Sequence, residues 1–319
     1  MKLISIVTPC YNEEDNVEEV YKQVKAVFGA LPEYKYEHIF IDNSSNDRTV
    51  EILKSLANKD NNIKIIVNTR NFGHVTSGYH ALLEAKGDAV ISIVADLQDP
   101  PEMIIEYIAK WEEGYKIVVG VKTASKESRL MYLIRNTYYN LIGKLSEIEL
   151  IKNYTGFGLY DKEVIQILRE IDDPYPYFRG LISFIGFEIY QIEYTQPARK
   201  RGTTKNNFYT LFDLAMLGIT NHSKVPLRLA TMTGFVLGAL SLVVAFFYLI
   251  LKLIMWNEFQ AGSAPVVIGL FFFASVQLFF IGIVGEYVGS IQTQVMKRPL
   301  VVEKERVNFK QEKTQKIVS

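Results

Sequence analysis

Two long apolar stretches near the carboxyl end constrain this chain more than any other feature. From Leu229 to Trp256, LATMTGFVLGALSLVVAFFYLILKLIMW carries a single charge, Lys252, and from Ala264 to Ile291, APVVIGLFFFASVQLFFIGIVGEYVGSI carries only Glu286. About 20 apolar residues span a bilayer as a helix, and both stretches are long enough. Lys252 sits near an edge, where its stem can reach the interface. Glu286, also near an edge, is expected to face Tyr287 or a partner subunit rather than lipid. A pair of buried core helices is the other reading, but such helices are usually shorter. Arg199, Lys200, Arg201, Lys205, Lys224 and Arg228 precede the first stretch, and Lys297, Arg298, Lys304 and Arg306 follow the second. The connecting NEFQAGS has no Lys or Arg. By the positive-inside rule both flanks are cytoplasmic and the short loop is outside. The expectation is a cytoplasmic domain anchored in the plasma membrane by a hairpin, with both termini cytoplasmic and a solvated, charged tail after Arg298.

The remainder excludes several classes. The opening MKLISIVTPCYNEE reaches polar turn residues after too short an apolar run for a secretory leader. Thirty-five Lys and Arg balance 35 Asp and Glu, without the basic excess expected of a nucleic-acid binder. The lone Cys10 cannot form an internal disulfide, and its apolar surroundings fit a small buried thiol.

Between the amino terminus and the hairpin, short apolar runs alternate with helical patterns. LISIVT from Leu3, HIFID from His38, IKIIVN from Ile63, AVISIVA from Ala89 and KIVVG from Lys116 read as strands. Helices are expected after Asp15, over 47–59, over 75–85 and over 101–113. Near-continuous Ile and Val runs alternating with helices imply a parallel sheet covered on both faces. Ligands in such sheets bind at the carboxyl ends of strands. There the first four runs end in PCYNEE, DNSSNDRT, TRNFG and DLQDPPE. Singly these are ordinary turn chemistry: Asn46 or Asp47 would cap a helix, Pro100 and Pro101 would open one, and Asp99 would sit at that turn. Four on one sheet edge favour a nucleotide site.

The kind of site can be narrowed. No G-x-x-x-x-G-K-[ST] occurs, which excludes a P-loop, and GFGLYD at Gly156 is a poor dinucleotide fingerprint. Acids beside phosphates need a divalent cation between them, and a hard ion such as Mg²⁺ takes carboxylate, carbonyl and phosphate oxygens. Val94 reads as the last inward residue of its strand, with Asp96 and Gln98 one strand period apart. His74 and His80 show no metal-ligand spacing with acids and are expected in surface or packing roles.

SIVTPCYNEEDNVEEV, IFIDNSSNDRTVEIL, NTRNFGHVTSGYHALLEAKGDAV, ADLQDPPE and PLRLATMTGF, in that order and spacing, resemble the polyprenyl-phosphate glycosyltransferases of glycosyltransferase family 2, over nearly the whole chain. The resemblance implies a GT-A fold over 1–200, an interfacial amphipathic helix and linker over 201–228, a transmembrane hairpin over 229–291 and a charged tail over 292–319. It implies inverting transfer of one sugar from a nucleotide-sugar, UDP-glucose first, to undecaprenyl phosphate or a similar polyprenyl phosphate. Mg²⁺ or Mn²⁺ would be the cofactor, and the assembly a homo-oligomer, typically a tetramer. By position, Pro9, Tyr11, Glu13, Asp42 and Asn71 would bind the donor, and Asp96 and Gln98 the metal and diphosphate, with Asp99 beside them. Arg199 and Lys205 would close over the diphosphate or, equally, act as a positive-inside anchor. Other donors, such as GDP-mannose or a UDP-N-acetylhexosamine, remain open, as does a non-catalytic membrane scaffold. A processive synthase is excluded because Trp111 and Trp256, the two tryptophans, are not preceded by the Arg of its Q-x-x-R-W element.

Four positions depart from the pattern that the resemblance implies: Val94, where mannose synthases have an acid that bacterial members often lack, Asn43 where a second acid is usual, and Gly156 and Gly158 where many relatives read Asp and Arg. The Asp is dispensable chemically, because a phosphate monoester with a second pKa of about 6 is already largely a dianion and needs no base. On the acceptor side, SRLMYLIRNTYYNLIGKL from Ser128 has a helical apolar stripe, with Arg129 and Arg135 off it. Those arginines are candidates for the lipid phosphate, or incidental bases on a solvated helix. NNFYTLFDLAMLGI from Asn206 repeats the pattern as an interfacial helix.

Overall fold

The computed structural model describes residues 1–124, 151–197, 223, 225–254 and 263–309. Strands β1 (Leu3–Cys10), β2 (Lys35–Asp42), β3 (Ile63–Asn68) and β4 (Ala89–Ser92) alternate with α1 (Val17–Gly29), α2 (Thr49–Ala57) and α3 (His74–Glu84). Then come α4 (Met103–Glu112), β5 (Ile117–Ala124), β6 (Tyr154–Asp161), α5 (Lys162–Ile171), α6 (Phe178–Phe184) and β7 (Ile189–Thr195). The last elements are α7 (Val225–Ile254), α8 (Ser263–Met296) and β8 (Glu303–Val307).

The eight strands form one sheet in the order β7-β5-β6-β4-β1-β2-β3-β8. β2, β1 and β4 run parallel side by side, as do β2 with β3 and β5 with β7. β6 and β8 run antiparallel to their neighbours. The Ile and Val runs are explained by burial on both faces. Ile4 and Ile6 point into a core with α1, α2 and α4, whereas Val7, Ile39 and Ile41 point into a second core with α3, α5 and α6. Each fully buried side chain of this size contributes roughly 1.5–3 kcal/mol.

Three strands escape the sequence pattern. β6 is interrupted by Gly156 and Gly158, and β7 alternates apolar and polar residues as an edge strand with one wet face. β8 comes from the tail expected to be solvated. Glu303–Val307 instead pairs antiparallel with β3, and its charged side chains find partners on neighbouring elements. Part of the tail is therefore sheet, closing an edge that β3 would otherwise leave open.

α7 and α8 belong to a second compact unit. Each contains a segment long and apolar enough to cross a membrane, Val225–Val244 and Phe272–Met296, with none of either window buried. Phe235, Leu242, Leu278 and Phe279 are each more than half exposed, which water would penalise and lipid would not. Glu286 is exposed on α8, and Tyr287 donates its hydroxyl to the Ser223 carbonyl at 2.5 Å.

Candidate active site

Because β1, β2, β3 and β4 are parallel, their four polar carboxyl-terminal loops open on one edge, as expected. The loops after β1 and β2 are zipped together. Asn12 N–H donates to Ser45 Oγ at 2.8 Å, Asn46 N–H to Asn12 Oδ1 at 2.8 Å, and Glu13 N–H to Thr49 Oγ1 at 2.9 Å. Glu13 Oε2 accepts from Asn16 Nδ2 at 2.6 Å, fixing the chain where it enters α1. Pro9 and Tyr11 are half-buried at the same edge. Asp42 is fully buried; burial pushes its carboxyl up, against the Ser45 N–H and hydroxyl that it accepts. Asp42 thus shapes the β2 loop rather than standing open to a ligand. Cys10 is buried, as expected, and burial raises its thiol well above the usual range.

Asn43, the position that departs from the family acid, is a structural tie. Its Oδ1 accepts from the Phe72 N–H at 2.9 Å and from Asn68 Nδ2 at 3.2 Å, which turns its amide nitrogen toward Asn71 Oδ1 at 2.8 Å. Asn71 Oδ1 also accepts the Gly73 N–H at 2.9 Å, so it can only be an acceptor toward Asn43. A carboxylate at 43 could not donate and would face an oxygen. Asn43→Asp is therefore expected to lower stability by about 1–3 kcal/mol, read as a fall in Tm. An unchanged Tm would remove Asn43 as the tie.

The turn after β4 differs from the expected geometry. The strand ends at Ser92, so Val94 is not its last inward residue, and Asp96 and Gln98 are not a strand period apart. Leu97 between them has φ +57°, and Gln98 N–H donates to Asp96 Oδ1 at 3.1 Å. A tight turn, not a strand, brings the Gln98 N–H to the Asp96 carboxylate, and both side chains are half-buried. Asp99 is not an exposed turn residue: it is 1% exposed. Burial pushes its carboxyl up to about 6, opposed by the Tyr194 hydroxyl at 2.8 Å and the Val94 N–H. The backbone of Val94, not its side chain, serves this site. Tyr194 lies on β7 and was not legible in the sequence, since nothing local links it to a turn 95 residues away.

Beneath Asp99 lies a buried tyrosine cluster. Tyr107 packs edge-on against Phe157, and the Tyr154 and Tyr160 hydroxyls hydrogen-bond to each other. Tyr160 donates to the Gly156 carbonyl at 3.0 Å. Gly156 has φ +102°, a region that disfavours Asp, although no atom stands within 4 Å of an added Cβ. At Gly158 an added Cβ would meet the Val118 carbonyl oxygen at 2.6 Å. Both departures from the family pattern are built into β6.

Arg129, Arg135, Arg199 and Lys205, and the two amphipathic stretches from Ser128 and Asn206, lie outside the described residues. Among the described residues no three His, Cys, Asp or Glu side chains form a cage for a metal. The Asp96 carboxylate and Gln98 amide oxygen are hard donors on one turn, and they fit an ion that takes its other ligands from phosphate and water.

Comparison with known proteins identifies relatives. The glycosyl transferase family 2 model matches residues 5–168. The uncharacterized glycosyltransferase YkcC of Bacillus subtilis is 36% identical over 299 residues, 93% of this chain and 92% of that one. The bactoprenol glucosyl transferase of Shigella phage SfII is 34% identical over 297 residues, 93% of this chain and 96% of that one. Among solved structures, glucosyl-3-phosphoglycerate synthase of Mycobacterium tuberculosis aligns with a TM-score of 0.48 at 19% identity, covering 69% of this chain and 78% of that chain.

Proposed function

The chain belongs to glycosyltransferase family 2 and is a glycosyltransferase with a GT-A sheet, and on that premise we propose that it moves one sugar from UDP-glucose to a polyprenyl phosphate at the cytoplasmic leaflet. The turn Asp96-Leu97-Gln98 over the buried Asp99, on the same edge as the loops after β1, β2 and β3, carries this reading. Support for the acceptor comes from the relative named for bactoprenol and from two helices whose apolar surface suits lipid.

A phosphate oxygen of the acceptor attacks the anomeric carbon as the bond from that carbon to the diphosphate breaks. UDP leaves, the configuration inverts, and no proton must be removed from the dianionic nucleophile. A Gly at position 156 is therefore compatible with turnover. Asp96 and Gln98 would hold Mg²⁺ or Mn²⁺, which supplies neutralisation of the departing diphosphate. Pro9, Tyr11, Glu13 and Asn71 would line the donor pocket, with Asp42 shaping its base-side loop. Arg199 and Lys205 would close over the diphosphate, and Arg129 and Arg135 would hold the acceptor phosphate. Positioning and charge compensation are then the chain's whole contribution.

The membrane arrangement gains support from connectivity. β8 follows α8 and pairs with β3, so the chain leaves the sheet domain before α7 and returns to it after α8. By the positive-inside rule the cationic flanks before α7 and after α8 would both be cytoplasmic. A homo-oligomer, tetrameric as the resemblance implies, belongs to the same proposal, and light scattering of the detergent-solubilised protein tests it.

A donor screen tests the function. UDP-glucose, GDP-mannose and UDP-N-acetylhexosamines, with a short polyprenyl phosphate and Mn²⁺, are expected to give nucleotide release with UDP-glucose foremost. No turnover with any donor, together with no Mn²⁺-dependent thermal stabilisation by UDP or GDP, would establish a non-catalytic scaffold instead.

A further inference from the structure

Thr69 to Gly73, the five residues between β3 and α3, carry Asn71, and the chain entering and forming β8 grips the first of them and the helix that follows the last. At the first end the Val302 carbonyl accepts the Thr69 N–H at 2.9 Å and its hydroxyl at 3.1 Å, carrying the β3–β8 ladder one residue beyond β3. Beyond the loop, midway along α3, Glu303 Oε1 lies 2.6 Å from His80 Nε2. Arg306 reaches Glu84 Oε2 in the last turn of α3 at 2.7 Å and also binds both oxygens of Glu303. Glu303 stands opposite Asn68 in the strand register, and Asn68 donates to Asn43 and Ser77.

β8 is itself fixed on its other side. Lys54 pairs with Glu305 at 2.6 Å, and Asn308 Nδ2 donates to the Ala57 and Ile63 carbonyls at 3.0 and 2.9 Å. Burial opposes ionisation of Glu303, but hydrogen bonds from His80 and Arg306 outweigh it and hold its pKa down to about 2. Glu303 is thus an anion at neutral pH, joining β8 to α3. Gly73, with φ +91°, ends a mostly exposed loop whose other tie is Asn43, bound to the Phe72 N–H and the Asn71 amide oxygen. A loop like this, if untethered, must be ordered when a ligand binds, and affinity falls by the cost of that ordering.

We propose that Glu303 is a positioning residue for the nucleotide-sugar donor: through His80 and the Val302–Thr69 ladder, the strand that returns from the membrane holds the loop presenting Asn71. This rests on the assignment of Asn71 to the donor pocket. The membrane hairpin then does more than tether the domain, because it delivers a strand that completes the donor side.

The test uses the full chain in detergent, with UDP binding measured by calorimetry in Mn²⁺ for wild type, Glu303→Ala, Glu303→Gln, Asn71→Ala and the Glu303→Ala/Asn71→Ala pair. Glu303→Ala is expected to raise the UDP Kd about 5-fold or more. Glu303→Gln should recover part of the loss, because its amide oxygen still accepts from Arg306. At saturating donor kcat should stay within about 2-fold, and the double variant should be less than additive because both changes act on one loop. An unchanged Kd, strict additivity, or a fall in kcat equal to that in kcat/KM would overturn the proposal. Should Glu303→Ala fail to fold, His80→Ala cuts only the α3 contact and must itself raise the Kd, or the proposal fails. Wild-type protein that binds no UDP would refute the donor pocket itself, and this proposal with it, whereas UDP binding unaffected by the variants would refute the positioning role alone.

Discussion

Asp96→Ala is expected to lower kcat/KM for sugar transfer by roughly 10³-fold while leaving the protein folded. In the proposed reaction the departing diphosphate would develop charge that water is poorly placed to screen, so losing the Asp96 carboxylate, its proposed metal and diphosphate ligand, would remove stabilisation found mainly in the transition state. The fold should tolerate the change. Asp96 is half-buried, and its bond to the Gln98 N–H contributes only about 0.5–1.5 kcal/mol. The check is a radiolabelled transfer assay beside a thermal melt. Near-normal activity in a well-folded variant would remove Asp96 from the metal and diphosphate site.

Gly158→Arg is expected to cost at least about 3 kcal/mol and to yield little folded protein, although Arg is the residue that the family resemblance implies there. β6 lies between β4 and β5, and Gly158 is paired with Ser92 on one side and Val119 on the other. Its added Cβ would approach the Val118 carbonyl to 2.6 Å and the Val119 Cα to 3.1 Å, both backbone atoms that cannot move alone. Gly156→Asp is the control: the space there is open, and only the left-handed φ opposes it, at about 1–3 kcal/mol. A Gly158→Arg protein that melts like wild type would mean that β6 does not pack as described.

Legibility differed by element. The first five strands and four helices were readable because each is a local pattern: an Ile and Val run buried on both faces, or an amphipathic helix between turn residues. β6 was hidden by its glycines, β7 by its polar half, and β8 by charge, since EKERV reads as a solvated tail until partners are known. The four loops gather on one sheet edge as their positions in the sequence imply, but what single residues do there was not legible. Asp99 looked like a turn residue and is buried against Tyr194. Asn43 looked like a lost acid and is a three-way tie between loops.

The sequence by itself determined the alternating sheet domain, the two apolar helices, the edge on which the polar loops gather and the family chemistry, because periodicity, hydropathy and short motifs are carried by neighbouring residues. Only the tertiary structure decided that Val94 serves through its N–H, that Asp99 is held by β7, and that the chain's end returns to clasp β3 and α3. The Asp99–Tyr194 contact joins residues 95 positions apart and the clasp on β3 and α3 residues 222 to 245 apart, and pairing over such distances depends on packing that no local pattern encodes.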